Sequence, residues 1–147
     1  MKKIAVVAHD SKKQVLLNWI EEHFDALKNH TFIATGTTGT LIKERFADIE
    51  IEIKLSGPLG GDQQIGSLIA TGEIDMLIFF TDPMTAMPHD VDVKALTRLA
   101  VVYNVPTASN RATADYLVTS PHFNDDYQQQ DNDYSDYLAR FEEDKNL

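Results

Sequence analysis

The sequence predicts an α/β fold: a single three-layer α/β/α domain of Rossmann-like type around a five-stranded, mainly parallel sheet. Three observations predict it. Short apolar, strand-like runs alternate with amphipathic helical segments five times over, the connections between them are short, and no internal repeat or linker divides the 147 residues.

The elements follow in order. Residues 4–8 (IAVVA) form a short run rich in β-branched side chains, expected of a central parallel strand buried on both faces. Leu16, Trp19, Ile20, His23, Phe24 and Leu27 then recur at helical spacing. Residues 31–34 (TFIA) are a second strand, interrupted by the Thr-Gly-Thr-Thr-Gly of residues 35–39, and a short helix follows with Leu41, Ile42 and Phe46 inward. Residues 49–55 alternate isoleucine with charge, which reads as a half-exposed strand near a sheet edge. Residues 56–61 (SGPLGG) are too rich in glycine and proline for regular structure. A helix is expected from Asp62, with Ile65, Leu68 and Ile69 inward and its end at Thr71-Gly72. Residues 76–80 (MLIFF) are the fourth strand, followed by a loop over 81–89 and a helix carrying Val93, Leu96, Leu99, Ala100 and Tyr103. Residues 105–108 give a last short strand, 111–118 a helix, and 134–141 a further helix in the tail.

Composition narrows the function classes. There is no cysteine, so disulfides, thiolate metal sites and a cysteine nucleophile are excluded. Hydrophobic residues make up 43% and charged residues 24%, as in soluble globular proteins. The N-terminal apolar stretch is too short for a signal peptide and no run reaches a membrane-spanning length, so a cytoplasmic protein without a membrane partner is expected. The net charge of −10 argues against nucleic acid as a partner. Residues 124–147 hold eight acids against Arg140 and Lys145, so this acidic tail carries most of that charge and the body is only mildly acidic.

Four polar or glycine-rich clusters fall directly after predicted strands: His9-Asp10, Thr35 to Gly39, Ser56 to Asp62, and Thr81-Asp82. Parallel sheets place ligands at the carboxyl ends of their strands. Thr35, Gly36, Thr37 and Thr38 offer hydroxyls and unpaired N–H groups at a helix start, suited to an anion or equally to a capped turn. Ser56 and Gly57 offer a second cradle, or a plain tight turn. Lys13 opens a helix, where a cation opposes the dipole unless an anion lies near. Asp62, at a helix start, reads as an N-cap or as a general base beside the cradle. Asp10 and Asp82 are placed to act on a neighbouring carboxylate through their charge. His89 is a loop histidine, exposed or catalytic, and Asp92 is placed to orient its ring. His9 ends the first strand facing the presumed site, whereas His23, His30 and His122 receive no role. No histidine pair has zinc-ligand spacing, and no metal site is expected.

Val-Ala-His-Asp with Lys13, residues 34–39 (ATGTTG), 55–64 (LSGPLGGDQQ), 79–83 (FFTDP), 88–96 (PHDVDVKAL), 110–115 (NRATAD) and 120–124 (SPHFN) together closely resemble the methylglyoxal synthase family. The resemblance covers nearly the whole chain and thins only in the tail. It implies conversion of dihydroxyacetone phosphate to methylglyoxal and inorganic phosphate, without metal or organic cofactor, in a homohexamer. It implies Asp62 as catalytic base, His89 as the residue assisting proton movement, and Asp10, Asp82 and Asp92 as supporting active-site acids. His9, Lys13, Thr35, Gly36, Thr37, Thr38, Ser56 and Gly57 are then the substrate-binding set, chiefly for phosphate. The family's basic residues near the C-terminus have no clear counterpart in register with Arg140. Two other readings share the architecture. One is a non-catalytic effector-binding module, which resembles the regulatory domain of large carbamoyl phosphate synthetases. The other is a receiver domain, which should carry an aspartate where this chain has Ser56-Gly57.

Overall fold

In the computed structural model, which describes residues 1–145, the last two residues of the predicted acidic tail lie outside the described range. Five strands, β1 (Lys3–Ala8), β2 (Thr31–Ala34), β3 (Glu50–Ile53), β4 (Met76–Phe80) and β5 (Thr107–Ala108), form one sheet in the order β3-β2-β1-β4-β5. Every pairing is parallel, with Val6 opposite Ala34 on one side and Ile78 on the other. β1 is central because its residues 4–8 can be buried on both faces: no side chain there needs water.

The pleat sends alternate residues to two cores. Ile4, Val6 and Ala8 pack with Phe32, Ile78 and Phe80 under helices α1 (Lys13–Glu22), the one-turn α2 (Phe24–Leu27), α3 (Gly36–Arg45) and α6 (Arg111–Thr119). Ala5, Val7, Leu77 and Phe79 face the opposite way, against Ile65 and Ile69 of α4 (Gly61–Ala70) and Leu96 and Ala100 of α5 (Asp90–Val102). The result is three layers, as the alternating pattern predicts. A last helix, α7 (Ser135–Lys145), follows the segment 124–134.

Three local readings change. The helix expected to run through Leu27 breaks at His23, whose Nε2 meets Asp115 Oδ1 of α6 at 2.9 Å. The Thr-Gly-Thr-Thr-Gly segment is not an interruption, because α3 starts at Gly36. The irregular loop over 56–61 contains a 3-10 turn, Gly57–Leu59, and Asp62 is not the cap of α4: Gly60 is, at φ 103°, with no side-chain capping bond. A left-handed residue there falls to glycine because a Cβ would clash with the backbone.

Candidate active site

The chain runs from β1 outward to β3 and then returns past β1 to β4, so the order of the sheet reverses between β1 and β4. At the carboxyl ends of these strands lies a cleft of about 400 Å³. It receives His9, Asp10 and Lys13 after β1, Thr35, Thr37 and Thr38 after β2, Ser56, Gly57 and Asp62 after β3, and Met87, Pro88 and His89 after β4.

Asp62 is the unusual group. Its residue is only 1% exposed, and neither carboxylate oxygen has a hydrogen-bond partner among the described residues. Buried carboxylates are normally paired, since losing water without replacement costs several kcal/mol. Burial accordingly raises the Asp62 pKa; His89 opposes the rise and Asp92 adds to it. His89 Nε2 lies 3.8 Å from Asp62 Oδ2, in electrostatic contact but beyond hydrogen-bond length. Gly57 makes room for both: a Cβ there would stand 2.9 Å from His89 Nε2 and 3.4 Å from Asp62 Oδ1.

His9 is held from behind. The backbone N–H of Asp82 donates to His9 Nδ1 at 2.9 Å, so the neutral ring carries its proton on Nε2, which has no partner among the described residues. Burial, and then the proximity of His89, lower the His9 pKa and favour that neutral form.

The anion cradle is built from backbone geometry. The first N–H groups of a helix have no acceptor within it. Of those in α3, Gly36 donates instead to the Leu55 carbonyl at 3.1 Å, which leaves Thr37 and Thr38 facing the cleft. Thr35 is the N-cap of α3 but makes no side-chain capping bond, and Thr38 Oγ1 donates to the Ala8 carbonyl at 3.4 Å. Lys13 pairs with the carboxylate of Asp10, which is 97% exposed and has its pKa lowered by that lysine.

Several expected residues are placed differently from the sequence reading. Gly36 is not among the cleft-lining residues; its N–H is spent on Leu55, and its missing Cβ lets Ser56 N approach. Asp92 does not orient the His89 ring. Its Oδ1 accepts from Gln63 Nε2 at 3.0 Å, while His89 Nδ1 has no hydrogen-bond partner among the described residues. Asp82 anchors the turn after β4, accepting from Met84 N and Ser11 Oγ, and the Met84 N–H foremost holds its carboxyl down to about 2. Its contribution to the cleft is the N–H that fixes His9. Gln63 and Gln64 carry part of the family resemblance over residues 55–64, but the sequence reading assigns them no role at the site; Gln64 Oε1 accepts from Leu55 N at 2.9 Å and secures the second cradle. Two amides directly after Asp62 were the available signal. Among the described residues, no three His, Asp or Glu side chains gather as a metal-ligand set.

A larger cavity of about 970 Å³ lies at the opposite, amino-terminal ends of the strands. Its histidines are engaged: His30 Nδ1 accepts from Lys2 N and His122 Nδ1 meets Asp125. It has no counterpart to the unbonded Asp62.

Comparison with known proteins decides the lineage. The model of the MGS-like domain matches residues 15–109. The methylglyoxal synthase of Oleidesulfovibrio alaskensis is 53% identical over 139 residues, 95% of each chain. The chain belongs to the methylglyoxal synthase family. The synthase of Cellvibrio japonicus is 55% identical over 95% of this chain and 90% of its own. A crystal structure of methylglyoxal synthase from Elizabethkingia anophelis superposes with a TM-score of 0.87 at 53% identity, covering 93% of this chain and 90% of that one. Methylglyoxal synthases are lyases, and the match in sequence and in fold identifies this chain as an enzyme of that type. The non-catalytic and receiver readings fall away.

Proposed function

We propose that this enzyme takes dihydroxyacetone phosphate to methylglyoxal and inorganic phosphate, with Asp62 as the base. The observation that carries the reading is the buried, unbonded carboxylate of Asp62 beside a cleft whose far wall offers backbone N–H groups, threonine hydroxyls and Lys13. A carboxylate stripped of hydrogen bonds is a stronger base than one in water, and its raised pKa brings it closer to the demands of removing a proton next to a ketone.

The steps follow from the placement. Asp62 removes a proton from the hydroxymethyl carbon, and the electron pair moves onto the ketone oxygen. The Nε2–H of neutral His9 and the ring of His89 stabilise the resulting enediolate. When the substrate's C–O bond to phosphate stands perpendicular to the enediolate plane, the hydroxyl on the deprotonated carbon passes its proton to the departing phosphate and its oxygen becomes the aldehyde C=O, the double bond shifts to the phosphate-bearing carbon, and the C–O bond breaks with phosphate leaving on the bonding pair. The enol left behind takes up a proton on carbon and ketonises to methylglyoxal, so no water is consumed. Thr35, Thr37, Thr38, Ser56 and Gly57 grip the phosphate; Lys13 exchanges its exposed partner Asp10 for that group, a cheap exchange because a solvent-exposed ion pair contributes little. Asp10, Asp82 and Asp92 support the site through charge and positioning.

The test is phosphate release and methylglyoxal formation from dihydroxyacetone phosphate by the purified chain. Asp62→Asn should retain the fold and lose roughly 10²–10⁴-fold in kcat; an undiminished rate in that variant rejects Asp62 as base. We further read residues 1–147 as one domain acting in the cytoplasm as a homohexamer. One continuous sheet with a core on each face supports the first point, and exposed apolar side chains such as Leu55, Leu59 and Val91 support assembly. Light scattering should give six times the 16.5 kDa chain mass.

A further inference from the structure

Gln63 links the two helices that carry the reacting groups. It leaves the first turn of α4 directly after Asp62, and its Nε2 donates to Asp92 Oδ1 at 3.0 Å. A carboxylate only accepts, so this contact fixes which end of the amide faces α5. Asp92 in turn leaves the first turn of α5, and its backbone N–H donates to the His89 carbonyl at 2.9 Å. One hydrogen bond therefore spans the turn that carries the Asp62 carboxylate and the turn that carries the His89 ring. Those two groups are not themselves hydrogen-bonded, being 3.8 Å apart. Deeper in the fold the helices are held by Ile65, Ile69, Leu96 and Ala100. At the cleft end, the Gln63–Asp92 bond is a polar tie between them.

We propose that Gln63 is a positioning residue, which holds the Asp92 carboxylate beside the cleft and thereby sets both the spacing and the charge balance of Asp62 and His89. The role deepens the reading of Asp62 as the base and rests on it. The charged and titratable groups around Asp62 come from every neighbouring element: His9 after β1, His89 and Asp92 from α5, and Lys13 with Asp10 across the cleft. Lys13 is already occupied by Asp10, and the two histidines favour the ionised carboxylate. Asp92 is the anion among the groups acting on Asp62, and it adds to the rise that burial causes in the Asp62 pKa. Without the amide donor, Asp92 turns to solvent, and its charge is screened.

Gln63→Met keeps the length of the side chain and removes the donor, and Gln63→Leu serves as a second variant. Gln63 is exposed, so both should fold. The expected result is a kcat lower by about tenfold with KM within about twofold, and an acid limb of kcat/KM moved by about half a pH unit to lower pH. In an Asp92→Asn background the same change should add less than about twofold, since the two side chains act as one unit. An unmoved acid limb, or a full additional loss in that background, overturns the role. A carbon-13 titration of the Asp62 carboxyl by NMR needs no turnover: its midpoint should fall in Gln63→Met, and an unchanged midpoint overturns the proposal. Failure of the wild-type chain to release phosphate would instead reject the functional reading.

Discussion

Asp62 is placed at a cost to stability, and the sign of that cost can be tested. Burial raises its pKa in the folded chain above the ordinary value of 3.8, so the folded state binds this proton more tightly than the unfolded state does. Stability therefore falls as pH rises through the window from 3.8 up to the raised value, and the full penalty applies above it. Asp62→Asn removes the charge while keeping the shape. At pH 7 it should raise Tm by about 2–4 °C for each kcal/mol relieved, and the gap should narrow as pH falls toward 3.8. Calorimetric scans of both proteins at several pH values check this; a gap independent of pH would show that ionisation of Asp62 carries no penalty. The sequence showed the residue but not its environment. An aspartate after two glycines at a helix start reads as a cap, and only the left-handed Gly60, which starts α4 one residue early, turns Asp62 inward. Asp92 was misread for a similar reason: three residues after His89 is a plausible spacing for orienting the ring, but its partner Gln63 comes from another helix, and sequence spacing within α5 gives no sign of it.

The elements around the cleft use glycine for two distinct purposes, and substitution separates them. At Gly57 a Cβ would press on the end of the His89 ring, which can swing aside. Gly57→Ala should therefore leave Tm within about 2 °C and lower kcat by about tenfold or more, because a displacement near 1 Å in an active site is enough for that. At Gly61 a Cβ would sit 1.9 Å from the Leu55 carbonyl oxygen, which is backbone and has nowhere to go. Gly61→Ala should destabilise the fold by several kcal/mol, seen in urea midpoints. Similar losses of stability in the two variants would refute the distinction. Gly39 explains why α3 was read as beginning late: a glycine there looks like a turn residue, but it is needed because a Cβ would lie 2.8 Å from Ile53 Cγ1 of β3. Packing between elements has no local signature. The break at His23 was hidden for the opposite reason. Leu16, Trp19, Ile20 and Leu27 stay in one core across it, so the helical periodicity continues although the helix does not.

At the scale of the molecule, the parallel sheet made most of the architecture legible, because buried strands and amphipathic helices differ in period and alternate in order. It also gave the direction of the cleft, since every post-strand segment of a parallel sheet opens on the same side. What stayed hidden was the course of residues 124–134, which have neither period. They run past the amino-terminal ends of the strands. There Asn124 bonds His30, Tyr127 stacks on His122, and Asn132 Nδ2 donates to the carbonyls of Val101 and Val102 at the end of α5. The last carbonyls of a helix lack the usual intrahelical donors and take such partners, Val101 accepting from Asn104 N as well. The described side chains of α7, by contrast, are exposed along its length, including Tyr137, Leu138 and Phe141. Two truncations should thus behave differently. A chain ending at Asp133 keeps every one of these contacts and should melt within about 2 °C of the full chain at low concentration. A chain ending at Phe123 loses the cover over His30 and the cap on α5, a net loss of roughly 1 kcal/mol for each hydrogen bond, and should melt about 4–8 °C lower. Equal melting temperatures for the two would mean that the segment 124–133 contributes nothing to the fold. A large fall for the chain ending at Asp133 relative to the full chain, disappearing on dilution, would place the apolar stripe of α7 in the contact between subunits.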